Sequence, residues 1–248
     1  MITTATIGYP RIGPKRELKK ALESFWKGDI KENELQSTAK DLRKKNWEIQ
    51  KENGIDLITS NDFSFYDQVL DTICLLGAVP DRYNWQGDDV DLKTYFAMAR
   101  GSQTKELDVS ALEMTKWFDT NYHYLVPELK SDQKFKISSQ KPFEEFKEAQ
   151  SAGYKTKPVL LGPITFLLLS KSTEGKNTLD LLDNLLPVYL EIVKKLNDLG
   201  AEWIQIDEPI FVKDLDEGVV SKIKKTLNSI KEAAGKSKIL LTTYFESI

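Results

Sequence analysis

The chain has 248 residues, 40% of them hydrophobic and 29% charged, which suits one large domain or one α/β barrel of about 250 residues. Its 35 basic and 38 acidic residues are well mixed and give a net charge of −3, so neither nucleic acid nor a membrane surface is an expected partner. The first residues carry no secretory pattern, and the single cysteine, Cys74, excludes an internal disulfide; both features predict a cytoplasmic protein.

Six short apolar runs, rich in β-branched residues and followed by turn signals and helical periods, predict a parallel α/β architecture. In chain order the runs are residues 4–8, 55–60, a weaker one at 113–118, then 158–161, 203–207 and 239–244. A long polar excursion at 81–110 and an expected antiparallel segment at 135–138 interrupt this alternation.

Three helices have recognisable ends. The first is predicted from about residue 14 to Gly28, with an apolar face at three- and four-residue spacing. That face consists of Leu18, Ala21, Leu22 and Phe25. Two longer helices, at about 31–53 and 179–199, are predicted to end at the left-handed caps Gly54 and Gly200.

A parallel barrel closes with eight strands, but the sixth predicted strand ends four residues before the end of the chain. We therefore expect residues 1–248 to form an incomplete (β/α)8 TIM-type barrel of about six strands with insertions, whose missing strands come from further polypeptide. An open sheet that needs no closure is the alternative.

Residues 8–20 contain the first candidate site, at the start of the first helix. Arg16, Lys19 and Lys20 share one arc of that helix, opposite its apolar face. Together with free backbone N–H groups and the helix dipole they would form a local anion site for a carboxylate or phosphate. A solvated helix surface is the alternative interpretation.

Two further segments could carry chemistry. Lys116 lies among aromatic residues with few neutralising neighbours, although a surface lysine beside core aromatics would look the same. His123, the only histidine, fits a structural role better than a catalytic one.

Asp207 and Glu208 end a predicted strand, but adjacent strand residues point to opposite faces, so we expect one inward acid rather than a converging pair.

Three motifs resemble the amino-terminal half of cobalamin-independent methionine synthases: residues 7–19 (IGYPRIGPKRELK), 113–124 (EMTKWFDTNYHY) and 204–209 (IQIDEP). The resemblance extends over residues 7–245. It implies that the full-length enzyme transfers a methyl group from 5-methyltetrahydropteroyltri-L-glutamate to L-homocysteine, forming L-methionine. Residues 62–71 and 160–167 also resemble family segments and are expected to shape the barrel mouth.

The resemblance also implies which residues bind substrate. Arg16, Glu17, Leu18 and Lys19 match a run that binds the polyglutamate tail of the folate, and Lys116 matches a lysine that contacts the same tail. Within the run, Arg16 and Lys19 would pair with tail carboxylates, Glu17 would make backbone contacts or orient a neighbouring cation, and Leu18 would anchor the helix to the core.

No catalytic residue is expected in this chain. The family activates homocysteine on zinc held by His, Cys and Glu ligands in a carboxyl-terminal barrel, and one cysteine with one histidine cannot supply that site. The expected partners are therefore the folate and the enzyme's own carboxyl-terminal domain, and the isolated chain is expected to be inactive. The alternatives are a stand-alone barrel hydrolase that uses strand-end carboxylates and a purely structural domain.

Overall fold

The computed structural model describes residues 3–87 and 89–245, which alternate between helices and short strands. The helices are α1 (Glu17–Lys27), α2 (Glu32–Glu52), α3 (Gln68–Leu75), α4 (Leu92–Arg100), α5 (Lys141–Ser151), α6 (Pro163–Leu168), α7 (Leu182–Asp198) and α8 (Glu217–Ala233). The strands are β1 (Ile58–Ser60), β2 (Ser102–Gln103), β3 (Asp108–Val109), β4 (Met114–Lys116), β5 (His123–Leu125), β6 (Glu128–Leu129), β7 (Thr156–Leu161), β8 (Lys171–Ser172), β9 (Trp203–Asp207) and β10 (Lys238–Thr242).

The main sheet is parallel, with strand order β1, β7, β9, β10. Ala5 pairs with Leu57 in a parallel bridge, which places the amino-terminal segment beside β1. Five of the six predicted runs thus lie side by side in chain order, and the α/β fold is confirmed. The sheet formed by the described residues is open and does not close into a barrel.

Two sequence-based predictions were wrong. The run at 113–118 does not join the main sheet, because β4 forms an antiparallel hairpin with β5 in which Lys116 faces His123. Phe118 and Asp119 turn the chain back with φ angles of 47° and 59°. Residues 135–138 do not form a strand: they run along the end of α3, where the Lys136 and Ser138 amides donate to the carbonyls of Leu76 and Leu75.

The helix ends follow the predicted signals closely. Helix α1 starts at Glu17 rather than near residue 14, because Arg16 takes the left-handed conformation (φ 61°) and cannot continue a right-handed helix. It ends at Gly28, whose φ of 81° favours glycine. Leu18 and Leu22 are buried, as the apolar periodicity predicts.

One hydrophobic core joins the sheet to the helices. Leu18 of α1, Leu70 of α3, Ile164 of α6 and Ile206 of β9 are fully buried in it. Cys74 also lies in this core, and burial raises the pKa of its thiol well above the ordinary value, so the thiol is unreactive at neutral pH.

Within the described residues, no helix has the length and apolar character needed to cross a membrane.

Candidate functional site

A cavity of about 550 Å³ opens at the carboxyl ends of the parallel strands. Each strand of the main sheet delivers a residue to it at or just after its end: Ile7 from the amino-terminal segment, Asn61 after β1, Leu161 in β7, Asp207 in β9 and Tyr244 after β10. In parallel α/β folds this edge is where binding and catalytic groups collect. Residues 62–71 and 160–167, which the sequence places at the barrel mouth, both contribute to the lining.

One wall of the cavity is the loop 8–12, which is fixed to the segment after β1. The Asp62 carboxylate accepts hydrogen bonds from the Tyr9 amide (2.9 Å) and the Thr59 hydroxyl (2.5 Å). Arg11 donates from its guanidinium to the backbone carbonyls of Phe65 (3.3 Å) and Tyr66. These bonds fix the start of the segment that leads to Arg16.

On another wall, Lys141 is surrounded by acceptors. Its ammonium lies 2.9 Å from Asn61 Oδ1, 3.2 Å from Asp71 and 3.4 Å from Glu145. Burial lowers the pKa of Lys141, but the Glu145 and Asp71 carboxylates outweigh burial and raise it above the ordinary value. Lys141 is therefore a charged group whose donors are already engaged within the protein.

Asp67 caps helix α3 and ties it to the hairpin. Its Oδ1 accepts from the amides of Val69 (2.8 Å) and Leu70 (2.9 Å), and its Oδ2 accepts from the Leu125 amide (3.2 Å). Burial raises the pKa of Asp67 to about 7. Its position on the cavity wall is explained by this structural role.

Asp207 faces the cavity from the end of β9 and belongs to a buried polar network beneath it. Gln205 donates to Asp207 Oδ1 (2.7 Å) and to the Ile7 carbonyl (3.0 Å). The buried Lys157 donates to the Thr6 carbonyl (2.8 Å) and to Gln205. Burial raises the pKa of Asp207 to about 6 and lowers that of Lys157 to about 8.

Glu208 points away from the cavity. It is fully buried, and its carboxylate accepts hydrogen bonds from the amides of Ile164 (3.1 Å) and Thr165 (2.7 Å) at the start of α6. Burial raises the pKa of Glu208 to about 7. The two adjacent acids therefore diverge, as strand alternation predicts, and do not form the facing carboxylate pair that a glycoside hydrolase needs.

Strained backbone is found around the cavity. Asn61 and Tyr244, which line it, have φ angles of 59° and 39°, and Arg16 and Phe118 in the neighbouring segments have 61° and 47°. The left-handed region is costly for bulky side chains, and such strain tends to accumulate at functional sites. These angles fix the directions in which the loop and the hairpin leave the cavity.

The predicted tail-binding cations lie outside the cavity, next to its walls. Arg16, Lys19 and Lys116 are exposed, and none of them lines the cavity. The loop that precedes Arg16 contributes lining residues 8–12, and the hairpin that carries Lys116 contributes Trp117 and His123. Lys19 pairs with Glu23 at 3.6 Å, whereas neither Arg16 nor Lys116 forms an ion pair with any residue in the described parts of the chain.

Glu17 and Leu18 both make contacts within the protein. The Glu17 carboxylate accepts from the Lys15 amide at 2.9 Å, which is a backbone contact within the loop. Leu18 is fully buried and anchors α1 to the core. Sequence analysis did not identify Arg11 and Lys141 as cavity residues, because Phe65 lies 54 positions from Arg11 and Asn61 lies 80 positions from Lys141.

Comparisons with known proteins agree with the fold and the motifs. A family model described as "Cobalamin-independent synthase, N-terminal domain" matches residues 3–248. Proteins named 5-methyltetrahydropteroyltriglutamate–homocysteine methyltransferase are 53% identical over 99% of the chain in Xylella fastidiosa strain M23 and 51% identical over 100% of it in Parvibaculum lavamentivorans. The chain spans only 32% of the length of each.

One solved structure resembles the fold. It is a crystal structure from Listeria monocytogenes, titled as that of a candidate vitamin-B12 independent methionine synthase. The TM-score is 0.60 at 17% sequence identity, and the match covers 96% of this chain and 63% of that one. At this identity the likeness concerns the fold alone.

Proposed function

The chain belongs to the cobalamin-independent methionine synthase family as its amino-terminal domain, and on that premise we propose that it is the folate-tail-binding part of a methyltransferase. The complete enzyme would move a methyl group from 5-methyltetrahydropteroyltri-L-glutamate to L-homocysteine. The relatives at about 50% identity, which bear that enzyme's name, support this activity. Since the chain spans a third of their length, we expect no methyl transfer by the chain alone.

The tail-binding role is supported by one observation in particular: Arg16 and Lys116 are exposed cations that form no ion pair among the described residues, and their two segments border the same cavity. An unpaired surface cation can bind a carboxylate without first breaking an internal bond. Four carboxylates line the cavity itself (Asp62, Asp67, Asp71 and Asp207), so an anionic tail would be held at the rim rather than inside. Lys19 would join them by exchanging its exposed contact with Glu23.

The rest of the enzyme would be supplied by a carboxyl-terminal domain, as the greater length of the relatives suggests. Further polypeptide would complete the (β/α)8 barrel that the five parallel segments of this chain begin, and the carboxyl-terminal domain would form a separate catalytic barrel. Residues 3–87 and 89–245 contain no group of three His, Cys, Asp or Glu side chains placed to hold a metal ion. We place the zinc and its ligands in the carboxyl-terminal part.

Removing the rim cations should weaken the enzyme's grip on the long tail. In the full-length methyltransferase that contains this domain, Arg16→Ala combined with Lys116→Ala should weaken binding of the triglutamate folate about tenfold, because each exposed charge contact contributes up to about 1 kcal/mol. The affinity for the monoglutamate form should change less than about twofold, since its single glutamate has fewer carboxylates that could contact the two cations. Calorimetric titration with both folates measures the difference.

The matched control is Lys27→Ala combined with Lys134→Ala, which removes two other exposed lysines without ion pairs among the described residues. Both folates should bind this variant as they bind the wild type. Equal weakening of the two folates in the Arg16/Lys116 variant would remove the tail-binding role and leave a structural domain. A hydrolase is the weaker alternative, because Glu208 is buried and engaged at the start of α6.

A further inference from the structure

The cavity contains polar atoms that no internal partner uses. Asp62 receives both of its hydrogen bonds on Oδ2, and Asp207 receives its one on Oδ1. Asp62 Oδ1 and Asp207 Oδ2 therefore receive no hydrogen bond of normal geometry from a described residue, although the Thr242 hydroxyl lies near the Asp207 carboxylate. Ser64 is 3% exposed and lines the same cavity, and its hydroxyl forms no hydrogen bond within the part of the chain that the structure describes. Asp62 and Asp207 are half-buried, and the nearly buried Ser64 side chain lines the cavity, so these polar atoms are accessible to a ligand inside it.

The cations near these atoms are directed elsewhere. Lys141 is engaged by Asn61, Asp71 and Glu145, and Arg11 donates to two backbone carbonyls. Lys157, beneath the cavity, donates to the Thr6 carbonyl and Gln205. A ligand that reaches Asp62 and Asp207 thus meets two unused carboxylate oxygens, which accept hydrogen bonds from a cation and repel an anion.

The remaining lining is aromatic and apolar. Trp117, Tyr189 and Tyr244 lie on the walls, with Val159 and Leu161 from β7, and Tyr244 is close enough to feel the charge of Asp207. Tyr122 stands at the mouth with 78% of its surface exposed. Aromatic faces attract cations as well as apolar groups. The volume of about 550 Å³ is in the range of small-molecule sites.

We propose that this cavity is a second binding site, distinct from the rim cations, for a small ligand that carries a primary ammonium group on an apolar or aromatic body. The ammonium is held by Asp207 Oδ2 and Asp62 Oδ1, and the Ser64 hydroxyl accepts a further hydrogen bond from the ligand. The body of the ligand packs against Trp117 and Tyr244. This site does not depend on tail binding, since it shares no residue with Arg16, Lys19 or Lys116.

The test uses three probes of the same shape and different charge: 2-phenylethylamine, 2-phenylethanol and 3-phenylpropionate. Titration calorimetry on the purified protein should give binding of the amine at least about tenfold tighter than of the alcohol or the acid, the size expected for a hydrogen bond to a charged group. Binding of the alcohol or the acid as tight as that of the amine would overturn the proposal. So would the absence of amine binding.

Two variants locate the site. Asp207→Asn keeps an acceptor for Gln205 but loses the charge. This variant should bind the amine about tenfold more weakly than the wild type does. Ser64→Ala removes a hydroxyl that has no described partner, so the protein should keep its stability while amine affinity falls several-fold. The control is Asp132→Asn, at an exposed carboxylate away from the cavity. Unchanged amine affinity in both folded cavity variants, judged by far-UV circular dichroism and Tm, would place the amine elsewhere and refute the site.

Discussion

Replacing Gly162 by alanine should destabilise the protein by about 3 kcal/mol, because the added methyl group has no room beside Glu208. A Cβ on Gly162 would overlap with Cγ, Cδ and Oε1 of the Glu208 side chain. The backbone itself permits alanine, since Gly162 has φ −71° and ψ 151°. The whole cost therefore comes from displacing a buried carboxylate from its two hydrogen bonds with Ile164 and Thr165.

Urea unfolding followed by circular dichroism measures this loss. The control is Gly218→Ala at an exposed position in α8, where the added methyl group would meet only the exposed Asp216 side chain, at 3.1 Å, and should alter the free energy of unfolding by less than about 1 kcal/mol. A second substitution tests the cause. Glu208→Ala should lower the free energy of unfolding less in the Gly162→Ala variant than in the wild type, because the Glu208 side chain is already displaced in that variant. Strict additivity of the two substitutions would show that Glu208 is not what excludes the methyl group.

This packing explains why two adjacent acids at a strand end do not converge into a carboxylate pair: Asp207 lines the cavity, whereas Glu208 binds the amides at the start of α6. Strand alternation alone predicts that Asp207 and Glu208 diverge. It does not predict that Glu208 caps α6, because the capped amides lie more than 40 residues earlier in the chain. Gly162 is the indirect signal: a glycine with ordinary backbone angles before a helix marks a close approach by another group.

The main sheet could be predicted because its strands are short runs dominated by apolar or β-branched residues, and β7 and β9 at its centre are largely buried. The hairpin could not. Its turn places Phe118 and Asp119 in the left-handed region, which sequence propensity disfavours for phenylalanine. The run at 113–118 therefore resembles another parallel strand until tertiary packing, such as the buried Trp117, is known.

The candidate site was only partly predictable for a similar reason. Exposed cations at a helix start, such as Arg16 and Lys19, are visible as a local pattern. Cavity residues such as Lys141 are not, because the ammonium meets Asn61 from 80 positions away. Ser64 carries no local signal at all, and it is identified only because its nearly buried side chain lines the cavity and forms no hydrogen bond with a described residue.

The buried acid should also make stability depend on pH. Burial raises the pKa of Glu208 from 4.5 to about 7 in the folded state. Its contribution to stability is therefore complete below about pH 4.5, where both states bind the proton, and is lost as the pH rises to about 7. The loss amounts to about 3 kcal/mol, since each pKa unit corresponds to about 1.4 kcal/mol.

Glu208→Gln isolates this effect, because glutamine has a similar shape, keeps one acceptor for the α6 amides and does not titrate. Asp67 and Asp207 titrate in both proteins, so the difference between the two unfolding free energies reports Glu208 together with its coupling to the neighbouring Asp207. Urea unfolding at several pH values should show the variant gaining about 3 kcal/mol relative to the wild type between pH 4.5 and pH 8. The control is Glu202→Gln, at an exposed position at the other end of β9. The free energy of unfolding of this variant should change with pH as that of the wild type does. A Glu208→Gln curve that is also parallel would mean that the two α6 amides keep Glu208 ionised despite its burial, and that helix capping outweighs desolvation at this position.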